Sequence, residues 1–341
     1  MGTNLSSILT TKEVSFDVFT NKKLVVDSYN ILYQFLSTIR QQDGSLLKDT
    51  HGHITSHLSG LFFRTTKLMK EKIKLAFVFD GAAPKLKKAE RERRSELKKE
   101  AQRKYEEALK KEDLELMKKY ASRTSVLTKE MVEESKELID ALGLPTIMAP
   151  SEGEAQASFM VKKGDFYALV SQDTDGLLFG SPRIIRNLSV SRKRKKPGTQ
   201  TYETINPVVI DLQENLRMLN INRDQLIVIA MLCGTDFNIG GIKGIGPKKA
   251  LLLVKKHKNN FDALFREVKW NAYFDFNWKE IYNLIKEMPT TDNYELKWRK
   301  IDSKKIKEIL VERHDFSKER IDKTLQELLL TQKQKGLSDF F

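Results

Sequence analysis

Cysteine is almost absent from this 341-residue sequence, and histidine and proline are scarce. The single cysteine, Cys233, excludes an internal disulfide and any cysteine-based zinc site, so we expect a reducing compartment. It ends the apolar run 226–233, which is far too short to cross a bilayer and predicts a buried core thiol. No signal peptide precedes the first polar residues, and residues 1–6 match the myristoylation pattern only as a short, weak motif. The sequence therefore predicts a protein that does not associate with a membrane.

Acidic residues are outnumbered: 46 Asp and Glu stand against 60 Lys and Arg, which gives a net charge of +14 and a pI near 9.5. Such a balance suits a polyanionic partner, either nucleic acid or an acidic membrane surface. It is also compatible with a protein whose positive charge only keeps it soluble, so composition alone does not show whether there is such a partner. The length favours about two domains, or one α/β core with helical additions.

Apolar stretches that end in an acidic residue recur along the chain. Asp27 ends one predicted buried strand, Asp80 follows a second, and the pair Asp173 and Asp175 follows a third. Strands of this kind that alternate with helices indicate a largely parallel sheet covered on both faces, in which ligands collect beyond the carboxyl ends of the strands. We therefore expect these acids to converge. The elements predicted around the first two acids are strands over 23–27 and 74–80 and helices over 28–39 and 56–72.

Three more carboxylates lie where helices are predicted to begin or end. Glu152 and Glu154 open one helix, and Asp236 follows a helix predicted over residues 224–233. Ser151 with Glu154 three residues later has the form of a capping box, so a purely local explanation of the first pair stays open.

The composition changes in residues 85–119, which contain fourteen Lys and Arg, nine Asp and Glu, and neither Gly nor Pro. The ordinary interpretation is a solvated helix with i,i+4 ion pairs. Because the segment follows Asp80 directly, it overhangs the predicted site, and Lys87 and Arg94 can present charge from one helical face. A second basic stretch, 191–198, is interpreted as a solvated turn, a nuclear-localisation-like patch or a phosphate contact.

Glycine and lysine are concentrated in residues 240–250. Glycines allow close backbone approach, Pro247 suits a first helical turn, and free N–H groups at a helix start bind phosphate oxygens. The string is typical of a helix-hairpin-helix element that contacts the DNA backbone independently of sequence. The predicted contacts are Gly244, Gly246, Lys248 and Lys249.

The histidines His51, His53 and His57 suggest zinc, but no cysteine or carboxylate arrangement in the sequence completes such a site. We interpret them as solvated or core histidines. Residues 261–331 are helical and aromatic in pattern, which indicates core packing. Residues 334–341 end in two phenylalanines, which are costly at a chain end unless they dock on a partner.

Six motifs in order resemble those of the flap endonucleases, the structure-specific 5′ nucleases of replication and repair. The resemblance runs from residue 2 to residue 341 and is closest to the archaeal members, because the chain stops at a clamp-binding motif without a long basic extension. The motifs are Val-Val-Asp27, Val-Phe-Asp80-Gly, Ala-Pro-Ser-Glu152-Gly-Glu154-Ala-Gln-Ala, Ser-Gln-Asp173-Thr-Asp175, Gly-Thr-Asp236 and Gly-Ile-Lys-Gly-Ile-Gly-Pro-Lys-Lys-Ala.

This resemblance implies an α/β fold with a central, mostly parallel sheet flanked by helices. It is a PIN-like 5′ nuclease core that carries a helical arch and the helix-hairpin-helix element. The implied organisation is a single nuclease domain over 1–331 and a sliding-clamp-binding tail over 332–341. Within the domain, the implied regions are an N-terminal nuclease region (1–98), the arch (84–134), an internal nuclease region with the hairpin (116–258) and C-terminal helices (259–331).

The resemblance also implies roles for individual residues. Lys87 and Arg94 match arch residues that hold the phosphate near the scissile bond, and Tyr33 matches an aromatic residue that stacks near the scissile nucleotide. Arg40, near the end of the same predicted helix as Tyr33, is grouped with the DNA contacts. The residues that match the peptide that binds the sliding clamp, proliferating-cell nuclear antigen, are Gln334, Leu337, Phe340 and Phe341.

Seven carboxylates in one cleft would repel one another unless cations neutralise them. Oxygen-only ligands favour Mg²⁺ over zinc, and Mn²⁺ can substitute. We expect two ions, with Glu152 bridging them. One ion is assigned to Asp27, Asp80, Glu152 and Glu154, and the other to Asp173, Asp175 and Asp236.

The predicted function is that of a Mg²⁺-dependent flap endonuclease and 5′ to 3′ exonuclease. It would remove 5′ flaps during Okazaki fragment maturation and repair, acting as a monomer in the cytoplasm of an archaeon or the nucleus of a eukaryote. One alternative is a related 5′ nuclease specialised for gaps, bubbles or junctions. Another is a non-catalytic scaffold that binds DNA and the clamp.

Overall fold

Strands and helices alternate along the chain. The computed structural model describes residues 5–111, 113–121, 123–188, 193–195 and 201–333. The strands are β1 (Lys12–Glu13), β2 (Lys23–Asp27), β3 (Lys74–Phe79), β4 (Thr146–Met148), β5 (Ala168–Val170), β6 (Arg183–Arg186), β7 (Lys193–Lys195), β8 (Tyr202–Thr204) and β9 (Val208–Asp211). The helices are α1 (Ser28–Thr38), α2 (Ser56–Lys70), α3 (Lys88–Lys110), α4 (Leu114–Ala121), α5 (Lys129–Ala141), α6 (Gly153–Lys163), α7 (Asp175–Leu178), α8 (Leu212–Leu219), α9 (Arg223–Cys233), α10 (Pro247–His257), α11 (Phe261–Glu267), α12 (Trp278–Lys286), α13 (Ser303–Lys307) and α14 (Lys318–Lys333).

Seven of the strands in the described ranges form one sheet in the order β1-β9-β6-β5-β2-β3-β4. The pairs from β6 to β4 are all parallel, whereas β9 is antiparallel to both β6 and β1. The predicted fold class, a mostly parallel sheet flanked by helices, is therefore confirmed. The parallel strands β2, β3 and β5 send their carboxyl ends to one edge.

Both faces of the sheet are buried, which explains why the central strands are apolar at every position rather than at alternate ones. Along β2, Val25 belongs to one core cluster, whereas Leu24 and Val26 belong to the other. In β3, Ala76 and Phe77 divide between the same two clusters. The first core packs α6 and α9 on the sheet, and the second packs α1, α2 and α5.

The highly charged segment 85–119 contains two helices rather than one. A 3-10 turn at Lys85–Lys87 leads into α3, and Asp113 then caps α4 by accepting a hydrogen bond from the backbone N–H of Leu116 at 2.9 Å. The predicted i,i+4 pairs are present on α3, for example between Lys104 Nζ and Glu100 Oε1 at 2.6 Å. The helical prediction for 261–331 is wrong in residues 287–302, which contain no regular element between α12 and α13.

Core packing explains the aromatic residues of this C-terminal part, as predicted. Trp270 is buried, and Trp278 and Trp298 pack against the same core. Cys233 is also partly buried against that core, and burial raises the pKa of its thiol to about 12. Among the described helices, none has both the length and the apolar character that a membrane span requires.

Candidate active site

The seven predicted carboxylates come from six places in the fold. Asp27 is the last residue of β2, Asp80 follows β3 directly, and Asp173 lies just after β5. The others are Asp175 at the start of α7, Glu152 and Glu154 at the start of α6, and Asp236 after α9. Electrostatic contacts connect Asp27 with Asp80 and Asp173, Glu154 with Asp175, and Glu152 with Asp80 and Asp236. The predicted convergence at the carboxyl edge of the sheet is therefore confirmed.

Asn30, which the sequence analysis missed, fixes two of these acids. Its backbone N–H donates to Asp27 Oδ1 at 3.2 Å, and its side-chain amide donates to Asp173 Oδ2 at 2.9 Å. The amide oxygen of Asn30 accepts a hydrogen bond from the backbone N–H of Gln172 at 3.0 Å. Asn30 therefore ties the end of β2 to the loop after β5. Its position three residues after a strand-end aspartate was the available sequence signal.

The start of α6 differs from the predicted capping box. Glu152 is the N-cap residue and makes no side-chain capping bond, while the Ser151 hydroxyl donates to the carbonyl of Ala82 at 3.1 Å. The first helical N–H, from Gly153, donates to Asp80 Oδ1 at 2.7 Å instead. Asp80, which follows β3, thus accepts a hydrogen bond from the start of α6, the role that the Ser151 side chain was expected to have. The side chains of Glu152 and Glu154 then face the other acids.

Burial and mutual repulsion oppose ionisation in this cluster. Burial, together with the charge of Asp80, raises the pKa of Asp27 to about 8. Burial is also the main cause that raises the pKa values of Asp80, Glu152 and Glu154. A group of buried carboxylates with raised pKa values calls for cations.

The donor set fits hard divalent ions. All seven side chains offer oxygen, the ligand that Mg²⁺ and Mn²⁺ prefer. Glu154 Oε1 is buried and makes no hydrogen bond within the described part of the chain, so this oxygen is available as a ligand. The histidine-containing group Asp49, His53 and His314, which could also hold a metal ion, is a separate cluster.

Two cationic side chains of the predicted arch contact the acidic cluster. Lys87 Nζ pairs with Glu152 and lies 3.5 Å from Asp236 Oδ2, and Arg94 Nη2 donates to Asp236 Oδ1 at 2.7 Å. Their spacing in the sequence predicted a shared face, and both do meet Asp236. Although burial by itself lowers the pKa of Lys87, the neighbouring charges of Glu152 and Asp236 raise it above its ordinary value.

Glu90 was also missed by the sequence analysis. It is buried in α3, and its Oε1 accepts a hydrogen bond from Arg94 Nε at 2.6 Å, while Arg93 donates to both of its oxygens. Glu90 therefore fixes the guanidinium of Arg94 in the orientation that reaches Asp236. The i,i+4 spacing of Glu90 and Arg94 was the signal in the sequence.

Tyr33 and Arg40, both predicted DNA contacts, differ in their exposure to solvent. Tyr33 projects from α1, and Lys98 of the arch places its Nζ 4.7 Å from the centre of the ring, so the arch reaches over this aromatic. Arg40 is half-buried, and its guanidinium donates to the carbonyl of Gly44 at 2.8 Å and to the Ser125 hydroxyl at 2.7 Å. The internal contacts of Arg40 give it a structural role, so its DNA contact stays a prediction.

The predicted helix-hairpin-helix segment, residues 240–250, follows shortly after Asp236. Helix α10 begins at Pro247 with Gly246 as its N-cap, as predicted, and Gly244 has a φ of +80° that glycine adopts readily. Lys248 and Lys249 are exposed at this helix start. The predicted clamp-binding residues Gln334, Leu337, Phe340 and Phe341 lie outside the described residues, as does most of the basic stretch 191–198.

Comparison with known proteins agrees with this architecture. Two family models match: the XPG N-terminal domain over residues 3–101 and the XPG I-region over residues 143–236. Flap endonuclease 1 from Staphylothermus marinus is 46% identical over 352 aligned positions, which cover 100% of both chains. The two model matches include all seven carboxylates.

Solved structures agree as well. Flap endonuclease-1 from Methanococcus jannaschii superposes with a TM-score of 0.75 at 42% identity, covering 97% of this chain and 98% of that one. The catalytic core of Rad2 in complex with DNA substrate superposes with a TM-score of 0.68 at 23% identity, covering 96% and 100%. The second match concerns the fold alone.

Proposed function

This chain belongs to the flap endonuclease family of structure-specific 5′ nucleases, and from that premise we propose how its site cuts branched DNA. The reaction is hydrolysis of a phosphodiester bond near the base of a 5′ flap, with 5′ to 3′ exonuclease activity on the same site. The single observation that carries the proposal is the cluster of buried acids contacted by the arch cations Lys87 and Arg94.

The metal ligands in this proposal are the seven carboxylates, and the ions are two Mg²⁺, for which Mn²⁺ can substitute. When bound, such ions lower the pKa of a coordinated water and stabilise the attacking and leaving oxygens. Glu152 would be suited to hold both ions, because it interacts electrostatically with Asp80 of one predicted set and Asp236 of the other. Glu154 also interacts electrostatically with both sets, through Asp175 and Asp27.

The cationic and aromatic side chains bind and orient the DNA. Lys87 and Arg94 hold the scissile phosphate from the arch side, and a preorganised cation is effective there because the surrounding site is largely desolvated. Tyr33, exposed beneath the arch, stacks on the nucleotide next to the cut. The N–H groups at the start of α10, with Lys248 and Lys249, contact the duplex backbone away from the cut.

A direct test compares cleavage of a double-flap DNA with cleavage of nicked, gapped, bubble and four-way-junction substrates. With Mg²⁺ we expect the highest kcat/KM on the double flap and no product in excess chelator. A faster reaction on gaps, bubbles or junctions would favour the related 5′ nuclease specialised for those forms. Metal-independent binding without product on any substrate would instead support the scaffold.

The tail prediction concerns residues 334–341. We expect their deletion to abolish stimulation by the sliding clamp while basal flap cleavage stays within about twofold, because the nuclease core lies in residues 1–331. The measurement is the cleavage rate with and without clamp for the full chain and the truncated chain. A matched control replaces Gln332 and Lys333, the two residues of the 332–341 tail that the deletion leaves in place, by alanine and should keep the stimulation. Equal loss of basal and stimulated cleavage on truncation would contradict this division of roles.

A further inference from the structure

A second group of possible metal ligands lies away from the acidic cluster. It joins the loop between α1 and α2, which carries Asp49 and His53, to His314, which follows the π-helical turn at Glu308–Glu312. One ligand atom from each of these three side chains lies within 4.8 Å of the others. Because His314 is 265 positions from Asp49, only the folded chain brings the group together.

Asp49 is the centre of the group. Its Oδ1 accepts backbone hydrogen bonds from His51 at 3.0 Å and from His53 at 2.8 Å, so the carboxylate has a fixed orientation. Its Oδ2 faces two imidazole nitrogens, Nδ1 of His53 at 3.1 Å and Nδ1 of His314 at 2.9 Å. The Asp49 side chain is fully buried, whereas the His53 side chain is 67% exposed, which leaves one open side toward solvent.

The surroundings of His314 match those of a metal-bound histidine. Its second ring nitrogen, Nε2, lies 3.0 Å from Glu134 Oε1 on α5, and a ligating histidine almost always gives its other N–H to a carboxylate or carbonyl. Glu134 thus fixes the tautomer that would leave Nδ1 free as a ligand. His57, fully buried beside it, has both ring nitrogens without a hydrogen bond in the described chain, and its Nε2 is 3.7 Å from Glu134 Oε2.

We propose that Asp49, His53 and His314 bind a divalent transition metal of the zinc type, with Glu134 as the residue that positions His314. Two imidazoles and one carboxylate are a donor set that zinc accepts and that Mg²⁺ disfavours, so the two sites of the protein differ in metal preference. The fourth coordination position is open to water on the exposed side of His53. The bound metal fastens the loop between α1 and α2 to the turn before α14.

The competing explanation is a simple ion pair in which His314 is doubly protonated between Asp49 and Glu134. The two explanations differ in their response to added metal and to the loss of His53. An ion pair needs only His314 and the two carboxylates, whereas the metal site also needs His53. His53 is exposed enough that its replacement leaves the packing of the loop intact.

The test uses the full chain, stripped with chelator and returned to excess Mg²⁺ so that the acidic cluster is saturated. Zinc chloride is then added, and bound zinc per chain and Tm are measured. We expect one zinc per chain and a Tm rise of about 5 °C at a hundredfold excess over Kd. Cobalt chloride should give the intense visible absorption of a site with nitrogen ligands and low coordination number.

Three variants and one control variant complete the design. His53→Ala and His314→Asn should each weaken zinc binding by at least tenfold, and Glu134→Gln by about tenfold. His51→Ala, on the same loop and also exposed, should bind zinc like the unaltered chain. Equal zinc stoichiometry and equal Tm response in the unaltered chain and in His53→Ala would overturn the proposal. Because neither readout involves DNA cleavage, a negative result here leaves the nuclease proposal unaffected.

Discussion

Replacement of Asp173 by alanine should lower kcat for flap cleavage by about a thousandfold or more, which corresponds to about 4 kcal/mol of transition-state stabilisation. Asp173 belongs to the acidic cluster that is proposed to hold the metal ions, and the side-chain amide of Asn30 donates to one of its oxygens at 2.9 Å. Its negative charge raises the pKa values of Asp27 and Glu154, so removing it relieves repulsion in the folded state. The variant should therefore lose activity while its Tm, measured without divalent ions, stays the same or rises.

The matched control is Asp262→Ala. Asp262 is an exposed acid on α11, and its carboxylate lies 3.2 Å from Lys279 Nζ, a surface pair of small energetic value. We expect its kcat to be within about twofold of the unaltered chain. Single-turnover cleavage of double-flap DNA measures both variants. Full activity of Asp173→Ala would refute the assignment of the acidic cluster, and a large Tm loss in that variant would show that the carboxylate has a structural role.

Replacement of Lys87 by alanine is the second large effect, an expected fall in kcat of about a hundredfold to a thousandfold. The Lys87 side chain is 16% exposed and lies between Glu152 and Asp236, and a fixed cation in a largely desolvated site stabilises a negative charge more than one in water does. The loss should be mainly in kcat, because the proposed DNA contacts lie mostly elsewhere, at the hairpin and along the arch. KM for double-flap DNA should change by less than about threefold.

The neighbouring residue supplies the control for this experiment. Lys88 has a side chain that is 82% exposed and pairs with Glu92 at 3.9 Å, so Lys88→Ala removes the same charge without altering a contact of the acidic cluster. We expect Lys88→Ala to retain its kcat within about twofold. An equal loss in Lys87→Ala and Lys88→Ala would mean that total arch charge matters rather than the position of Lys87.

The strands and the acids at their ends could be read from the sequence with little ambiguity. Buried parallel strands are apolar at every position, so the runs that end at Asp27 and Asp80 are conspicuous and their direction follows from the fold class. Helix α10 likewise begins at the predicted Pro247. In each case the signal is local in the chain.

The features that sequence reasoning missed depend on contacts between segments that are distant in the chain. Ser151 has the right spacing for a capping box, but the carboxylate of Asp80, from another strand, takes the first helical N–H instead. His51, His53 and His57 were interpreted as solvated or core histidines, and the sequence could not show that His314, 265 positions from Asp49, lies beside Asp49 and His53 in the fold. The stretch 287–302 keeps aromatic residues such as Trp298 that pack on the core without helical backbone, which periodicity alone cannot reveal.

The carboxylate of Asp236 contacts the arch and is also one of the proposed metal ligands. In the proposed site, Arg94 and a divalent ion would both bind this carboxylate, so docking of the arch through the Arg94–Asp236 ion pair and binding of the ion would be coupled equilibria. Coupling of this kind is reciprocal: the factor by which docking weakens ion affinity equals the factor by which ions weaken docking. The guanidinium of Arg94 would thus act as an internal competitor of the proposed metal ions for Asp236.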